Sequence, residues 1–121
     1  MPYKKDNLPE LNQIHLLFAI FDQLYNNYDK ELIRERMACQ CKCYEYNQII
    51  PSDIDQRKSK IREIIPNLGD DFVIEQPFRC DFGYNIHIGH HFFSNFNLVI
   101  LDEAAVTIGD YVFIAPDCGI Y

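Results

Sequence analysis

Two residue types in this chain could do chemistry, histidine and cysteine. The histidines are His15, His87, His90 and His91, and imidazole is the side chain most often used as a general base near neutral pH. His87 alternates with two isoleucines, so we expect it to face outward from a strand. His90 and His91 fall at a predicted corner, and His15 falls on the polar side of a predicted helix. The pattern favours a solvated or hydrogen-bonding surface role for each histidine.

Three of the five cysteines alternate with other residues, at Cys39, Cys41 and Cys43. A metal site would use them as thiolate ligands, but on a helix only Cys39 and Cys43 share a face. Three thiolates therefore cannot meet at one ion without another segment. We expect buried or half-buried free cysteines and no metal. Cys80 and Cys118 fall at small interior positions of a repeat, and the odd cysteine count suits a reducing compartment.

The C-terminal half contains three similar stretches, spaced twenty residues apart, at residues 68–77, 88–95 and 108–116. Each begins with an aliphatic residue and a glycine and continues with an aromatic or β-branched pair. Small or aliphatic positions step by six within each period, so three six-residue sides and two further residues make one three-sided coil. This pattern predicts a parallel β-helix. An antiparallel sheet is the alternative, although hairpins give no reason for a repeat in phase.

The phase of the repeat predicts where individual side chains point. The residues expected to point inward are Ile88, Ile100, Ile108, Ile114 and Ile120. Those expected to face outward or to lie at corners are His87, Asn97 and Asp117. Glycines at positions 69, 89 and 109 are expected to turn corners with positive φ. Exposed aromatic residues would leave an apolar patch larger than monomers usually tolerate. They are Phe92, Phe96, Phe113 and Tyr121.

The N-terminal half has a helical period instead. Apolar side chains recur at three and four residues over residues 14–28, which predicts a first helix. A second helix is predicted over residues 29–44, with Asp29 as its N-cap. A third is predicted over residues 54–65, capped by Ser52 or Asp53. The sequence therefore predicts a helical segment followed by coils.

Composition and charge limit the function classes. The chain has 121 residues, 48% of them hydrophobic, which is enough for a core. The two periods divide it into a helical segment at 1–66 and an incomplete hexapeptide β-helix at 67–121. A net charge of −7 and a pI near 4.9 oppose a nucleic-acid partner, because neutralising phosphates takes clustered Lys and Arg. No apolar run approaches the roughly 18–20 residues of a membrane span, and residues 1–5 lack signal-peptide character. We expect no membrane partner and a cytoplasmic location.

Two blocks of the chain resemble a known family. The first holds Leu24-Tyr25, residues 29–32, Arg36 and Tyr46-Asn47, and the second holds residues 78–89, 93–97 and 101–102. They resemble the N-terminal part of the maltose and galactoside O-acetyltransferases, which are hexapeptide-repeat acyltransferases, and are slightly closer to the maltose type. The resemblance covers residues 24–121. It implies a left-handed β-helix and a homotrimer with active sites between subunits. It also implies acetyl transfer from acetyl-CoA to a sugar hydroxyl.

The resemblance also implies a set of substrate-binding residues. They are Asn95, Asp102, Glu103, Asp81 and Asn27. Asn95 matches an amide that donates near the reacting acetyl and sugar, or else it only shapes a coil corner. Asp81 and either Asp102 or Glu103 match polar sugar-binding positions, or else they are solvated. Asn27 stands where the galactoside enzymes carry an Asp that contacts the sugar, and this difference leaves the identity of the sugar open.

The resemblance implies that the catalytic histidine and the CoA-binding coils lie beyond Tyr121. No catalytic residue is therefore expected within residues 1–121, and we expect this stretch to be inactive by itself. It would be an N-terminal portion of an acetyl-CoA-dependent O-acetyltransferase that acts on a maltose-like sugar. The alternative is a non-catalytic β-helix module that binds a sugar or a sister chain.

Overall fold

The structure is a computed structural model that describes residues 11–121, with side chains described at Leu17 and from Asp29 onward. The chain divides into two compact units, Met1–Arg34 and Glu35–Tyr121, and the contacts described here lie within the second unit. Two helices precede nine short strands within residues 11–121. The helices are α1 (Leu11–Gln48) and α2 (Ile54–Ile64). The strands are β1 (Asn67–Leu68), β2 (Val73–Ile74), β3 (Phe78–Cys80), β4 (Ile86–Ile88), β5 (Phe93–Ser94), β6 (Leu98–Ile100), β7 (Val106–Ile108), β8 (Phe113–Ile114) and β9 (Gly119–Ile120).

Helix α1 is longer than the sequence predicts. Residues 14–28 and 29–44 are predicted as two helices with Asp29 as an N-cap, but the structure has one helix over Leu11–Gln48. Asp29 does not break it, because Asp inside a helix costs at most about 0.7 kcal/mol relative to Ala. No proline or glycine interrupts the segment. Over the described residues, neither helix combines the length and the apolar character that a membrane span requires.

Helix α2 begins and packs as the sequence predicts. The side chain of Asp53 accepts a hydrogen bond from the backbone N–H of Gln56 at 3.2 Å, which caps the first turn. Ile61 and Ile64 are buried, and so is Ile65 directly after the helix. These three side chains join the core that the coils enclose.

The nine strands form three parallel sheets, ordered β1-β4-β7, β2-β5-β8 and β3-β6-β9. Each strand pairs with the strand twenty residues later, so that Leu68 lies beside Ile88 and Ile88 lies beside Ile108. Every hydrogen-bonded pair of strands within residues 11–121 is parallel, whereas hairpins would pair antiparallel neighbours. The predicted three-sided parallel β-helix is therefore confirmed.

The predicted phase of the coils is also confirmed. Ile88 and Ile100 are buried in the interior. Ile108, Ile114 and Ile120 are partly buried and pack against the same core. These three residues belong to the last coil, formed by β7, β8 and β9. Among the described residues, another coil covers this one on one side only, so its side chains are more exposed. The positions predicted to lie outward or at corners are exposed, namely His87, Asn97 and Asp117.

The corners are not turned by the repeat glycines, contrary to the prediction for positions 69, 89 and 109. Two other series spaced by twenty residues have positive φ: Asp71, His91 and Tyr111, and then Asn97 and Asp117. Asp, Asn and His are the non-glycine residues that most often take this conformation. The glycines instead allow close stacking, because a Cβ at Gly69 would lie 2.6 Å from the carbonyl carbon of Gly89.

Phe92 corrects the predicted exposed patch. Its side chain is 1% exposed and belongs to the core, directly after the corner at His91. Phe72 occupies the equivalent buried position one coil earlier. The other three predicted members of the patch are exposed, namely Phe96, Phe113 and Tyr121.

The C-terminal end of α1 is fixed to the first coil by side-chain amides. Asn47 donates to the carbonyl of Phe78 at 3.0 Å and accepts from its N–H at 2.9 Å, as a neighbouring strand would. Gln76 donates to the carbonyls of Tyr46 and Ile49 at 2.7 and 2.8 Å. The last carbonyls of a helix lack partners within the helix. These bonds therefore both terminate α1 and attach it to the first coil.

Replacing Ile100 with Asp should abolish folding. Ile100 is 0% exposed, and an unpaired buried carboxylate costs several kcal/mol against a total stability of about 5–15 kcal/mol. His87→Asp is the matched control, since it places the same side chain on the outer face of β4. Circular dichroism and limited proteolysis should show a folded control and an unfolded Ile100→Asp variant. Two equally folded variants would contradict the phase of the coils.

Candidate functional site

A cleft of about 790 Å³ lies between α1 and the outer side of strands β3 and β6. We call it the α1–β3 cleft. Its lining residues from α1 are Arg36, Gln40, Cys43, Tyr44, Asn47 and Gln48. Its lining residues from the coils are Pro77, Arg79, Cys80, Asp81, Asn97, Val99 and Leu101. Amides, two guanidinium groups, one carboxylate and one phenol ring give this cleft both donors and acceptors. Such a lining suits a polar, uncharged ligand with several hydroxyl groups.

Asp81 is the carboxylate of the cleft. The Nε atom of Arg36 donates to its Oδ1 at 3.0 Å, and the Asp81 side chain is 5% exposed while that of Arg36 is 54% exposed. The other carboxylate oxygen, Oδ2, makes no hydrogen bond to any described residue. One oxygen is therefore held by the guanidinium, and the second remains able to accept a hydrogen bond from a ligand.

Asp102 stands behind Asp81 and is fully buried. Its Oδ1 accepts from the backbone N–H groups of Asp81 at 3.0 Å and Phe82 at 2.9 Å, and its Oδ2 accepts from that of Gly83 at 2.7 Å. Successive N–H groups that converge on one carboxylate make a stable anion site inside the protein. This geometry gives Asp102 no surface for a direct sugar contact, and it gives the segment 81–83 a fixed shape.

Gly83 completes this corner. Its φ is +85°, and a Cβ on it would collide with the carbonyl oxygen of Ile64. Only glycine combines that conformation with such a close approach. The corner that carries Asp81 is therefore fixed from two sides, by Asp102 from the next coil and by the end of α2.

Two further predicted site residues, Asn95 and Glu103, do not line the cleft. Asn95 lies at the corner after β5, where its Oδ1 accepts from the N–H of Phe96 at 2.8 Å. Its Nδ2 group makes no hydrogen bond within the described part of the chain, so Asn95 both shapes a corner and keeps a free donor. Glu103 is exposed. The side chain of Asn27 lies outside the described residues. Of the four predicted residues whose side chains are described, only Asp81 lines the cleft.

Known proteins and a known family motif match this chain. The maltose acetyltransferase hexapeptide capping motif matches residues 22–69. A Saccharomyces cerevisiae protein whose name describes an acetyltransferase is 50% identical over 100 residues, 82% of this chain and 51% of that protein. The galactoside O-acetyltransferase of Escherichia coli K12 is 39% identical over 95 residues, 78% of this chain and 47% of that enzyme.

Solved structures agree with the sequence matches. The maltose O-acetyltransferase of Clostridium difficile 630 aligns with a TM-score of 0.75 at 35% identity, over 78% of this chain and 50% of that one. A hexapeptide-repeat acetyltransferase of Vibrio cholerae in complex with acetyl-coenzyme A aligns with a TM-score of 0.68 at 38% identity, over 74% of this chain and 48% of that one.

The resemblance to the maltose and galactoside O-acetyltransferase family is confirmed. The fold predicted from that resemblance, a left-handed parallel β-helix behind an N-terminal helical segment, is confirmed as well. The chain spans about half the length of the curated relatives it matches.

Several residues of the cleft were missed by reasoning from the sequence. Arg36, Gln40, Tyr44 and Asn47 are spaced by four, four and three residues on α1, which places them on one face of the helix. This polar face lies next to the apolar face that packs on the coils. Its spacing was the available signal, but the sequence alone does not show what lies opposite a polar helix face.

The described histidines do not line this cleft. His90 accepts through Nδ1 from the backbone N–H of Asp70 at 2.9 Å. The ring of His91 stacks on Tyr111, with 4.6 Å between ring centroids. His87 is exposed on β4. Each described histidine therefore has the surface role that the sequence favours.

Three of the cysteines meet, two from the predicted shared face of α1 and one from another segment, while Cys41 points away and is exposed rather than buried or half-buried as predicted. Cys39 and Cys43 share one face of α1, and Cys80 on β3 brings a third sulfur atom within 4.8 Å of theirs. Hydrogen bonds from Cys39 and Cys80 favour the thiolate of Cys43 and lower its pKa, while the bond with Cys43 raises the pKa of Cys39. Cys41 is exposed and Cys118 is half-buried. We call Cys39, Cys43 and Cys80 the thiol cluster.

Replacing Asp102 with Asn should lower the free energy of unfolding by about 1.5–3 kcal/mol, because the charge is lost and one N–H is left facing an amide donor. Glu103→Gln is the matched control, since it neutralises the neighbouring carboxyl on the surface and should change stability by at most about 0.5 kcal/mol. Urea unfolding of both variants provides the comparison. Equal midpoints would show that the buried carboxylate does not order this corner.

Proposed function

We propose that this chain forms the acceptor side of an acetyl-CoA-dependent O-acetyltransferase that acts on a hydroxyl of a maltose-like sugar. The observation that carries the proposal is the α1–β3 cleft with its half-free carboxylate, Asp81, on a corner fixed by Asp102. The similarity to an enzyme crystallised with acetyl-coenzyme A supports the acetyl donor. The similarity to maltose and galactoside enzymes supports a sugar as the acceptor.

The cleft can bind a sugar in the following way. Oδ2 of Asp81 accepts a hydrogen bond from a sugar hydroxyl, and the exposed end of Arg36 donates to a neighbouring one. The ring of Tyr44, which is exposed at the cleft, packs against the apolar face of the pyranose. Asp102 acts in this proposal as a positioning residue, because it holds the backbone of Asp81 rather than the sugar.

Acetyl transfer needs two further functions beside the acceptor site. A general base must remove the proton of the hydroxyl as its oxygen attacks the thioester carbonyl. The proposal places this base beyond Tyr121, because the described histidines are outside the cleft. A donor must stabilise the negative charge that develops on the carbonyl oxygen. We assign this role to the uncommitted Nδ2 group of Asn95.

A homotrimer would bring Asn95 and the cleft of a second copy together. Within one copy, Asn95 does not line the α1–β3 cleft. Exposed aromatic side chains on the outer coil faces support association, since Phe93 and Phe113 form a ladder with 5.8 Å between ring centroids and Phe96 is exposed nearby in sequence. We therefore propose that the active site lies between subunits.

Replacing Phe113 with Lys should weaken the trimer without unfolding the chain, because Phe113 is 76% exposed and a charge inside an apolar interface is costly. Thr107→Lys is a matched control on the outer face of the neighbouring strand β7. Sedimentation velocity should show a smaller species for Phe113→Lys alone. A parent-sized assembly for both variants would contradict an interface at this face.

Acetyl transfer is tested best in a protein in which this chain is extended past Tyr121 to about the length of its relatives. Asp81→Asn should raise KM for the sugar by about tenfold, the equivalent of one hydrogen bond to a charged group. Asn95→Ala should lower kcat by about 10²–10³, as loss of one oxyanion donor does. Release of free CoA thiol in the presence of sugar measures both. Asp55→Asn, at an exposed position of α2, is the control for the carboxylate change.

The same measurements separate the proposal from its alternative. A non-catalytic β-helix module is favoured by the position of the described histidines, which all lie outside the cleft. Such a module would bind sugar and release no CoA in any variant. A destabilised Asn95→Ala protein with unchanged kcat would mean that Asn95 only shapes its corner.

A further inference from the structure

The thiol cluster is a separate feature of the same unit. Cys39 and Cys43 lie one turn apart on α1, and Cys80 ends strand β3. The three residues are 4, 3 and 5% exposed, and their sulfur atoms all lie within 4.8 Å of one another. Three buried thiols from two different elements are thus held at a single point.

The spacing of these sulfur atoms is close to that of a metal site. The Sγ atoms of Cys39 and Cys80 are 3.5 Å apart. Four thiolates around one ion, with metal–sulfur bonds of about 2.3 Å, lie roughly 3.8 Å from each other. Because no two of the three sulfur atoms are more than 4.8 Å apart, the thiols need to move by at most about 1 Å to share one ion. Most of the ordering that metal binding requires is already provided by the docking of α1 on β3.

The ligand set selects a class of ion. Sulfur-only sites bind soft cations such as Zn²⁺ and Cu⁺, whereas Mg²⁺ and Ca²⁺ take oxygen ligands. The cluster of candidate ligands among the described residues holds the three cysteines and no carboxylate or imidazole. Cu⁺ is satisfied by three thiolates, while Zn²⁺ takes a fourth ligand. Cys43 and Cys80 line the α1–β3 cleft, so water from the cleft can supply it.

We propose that Cys39, Cys43 and Cys80 bind one thiophilic d¹⁰ cation, Zn²⁺ or Cu⁺, which joins helix α1 to strand β3. Each sulfur that binds the ion gives up its thiol proton to solvent, and no oxidation or reduction takes place. The net charge of three thiolates with Zn²⁺ is −1 and with Cu⁺ is −2, and the guanidinium of Arg79 lies on the wall of the same cleft. This proposal does not rest on the proposed acetyl transfer, although the ion would lie beside the same cleft.

The ion would tie together two segments that are otherwise joined by side-chain hydrogen bonds. One of these segments carries Arg36 and the other carries Asp81, the ion pair of the cleft. A ligand that binds the folded chain and not the unfolded chain raises its stability by mass action. Metal binding should therefore raise the melting temperature and hold the wall of the cleft in place.

The test uses the reduced chain, with Zn²⁺, Cu⁺ and Cd²⁺ as separate probes. Native mass spectrometry should show one ion per chain, and Cd²⁺ should produce a thiolate charge-transfer band in the ultraviolet. Single changes to Ser at Cys39, Cys43 or Cys80 should abolish both signals. Cys41→Ser, on the same helix but exposed, and Cys118→Ser, half-buried in the third coil, should bind as the parent does.

A second measurement needs no variant and covers the case in which a cluster variant fails to fold. The parent chain is alkylated with and without Zn²⁺ or Cu⁺, and the modified peptides are identified by mass. Supporting results are protection of the three cluster cysteines and a higher melting temperature with at least one ion. The ion that protects at the lower free concentration identifies the preferred metal. Absence of bound metal, binding lost in Cys41→Ser, or a Cys39–Cys80 disulfide in place of metal binding under reducing conditions would overturn the proposal.

Discussion

The hydrogen bonds between successive coils are the constraint on which the rest of this molecule depends. Each strand pairs in parallel with a strand twenty residues away, and a shift of one residue would turn every interior side chain outward. The coils approach closely enough to form these bonds because Gly69 and Gly89 carry no Cβ. Gly69 and Gly89 therefore leave room for the spacing that the hydrogen bonds require. The bends are made by polar or aromatic residues such as Asp71 and His91, which lie in the left-handed conformation.

The candidate site is built where α1 meets this stack of coils. Asn47 pairs with the backbone of Phe78 as a further strand would, and it fixes the rotation of the helix about its own axis. One face of α1, with Cys43, then packs on the coils, and the adjacent face, with Arg36, forms a wall of the cleft. Asp102 orders the opposite wall from inside. Core packing and site geometry thus depend on the same few polar contacts.

The sequence predicts what is local and misses what depends on docking. The coil phase could be predicted because the step of six residues is visible within one period. The role of Gly69 could not, since a glycine that turns a corner and a glycine that clears space look alike in sequence. For Asp102 the sequence leaves a sugar contact and a solvated corner as alternatives, and it shows neither the burial nor its cause, because the N–H groups that surround the carboxylate belong to the preceding coil. The contact of Cys80 with the helical cysteines likewise requires knowledge of how α1 lies on β3.

The shared wall between helix and cleft has a thermodynamic consequence. Because α1 supplies Arg36 and Tyr44 to the cleft, a molecule bound there interacts with the docked helix and not with a detached one. Binding in the cleft and docking of the helix are therefore linked functions, and each must favour the other by the same free energy. Any change that loosens α1 from the first coil, such as loss of the Asn47 hydrogen bonds to Phe78, weakens the affinity of the cleft through a reduced population of the competent state.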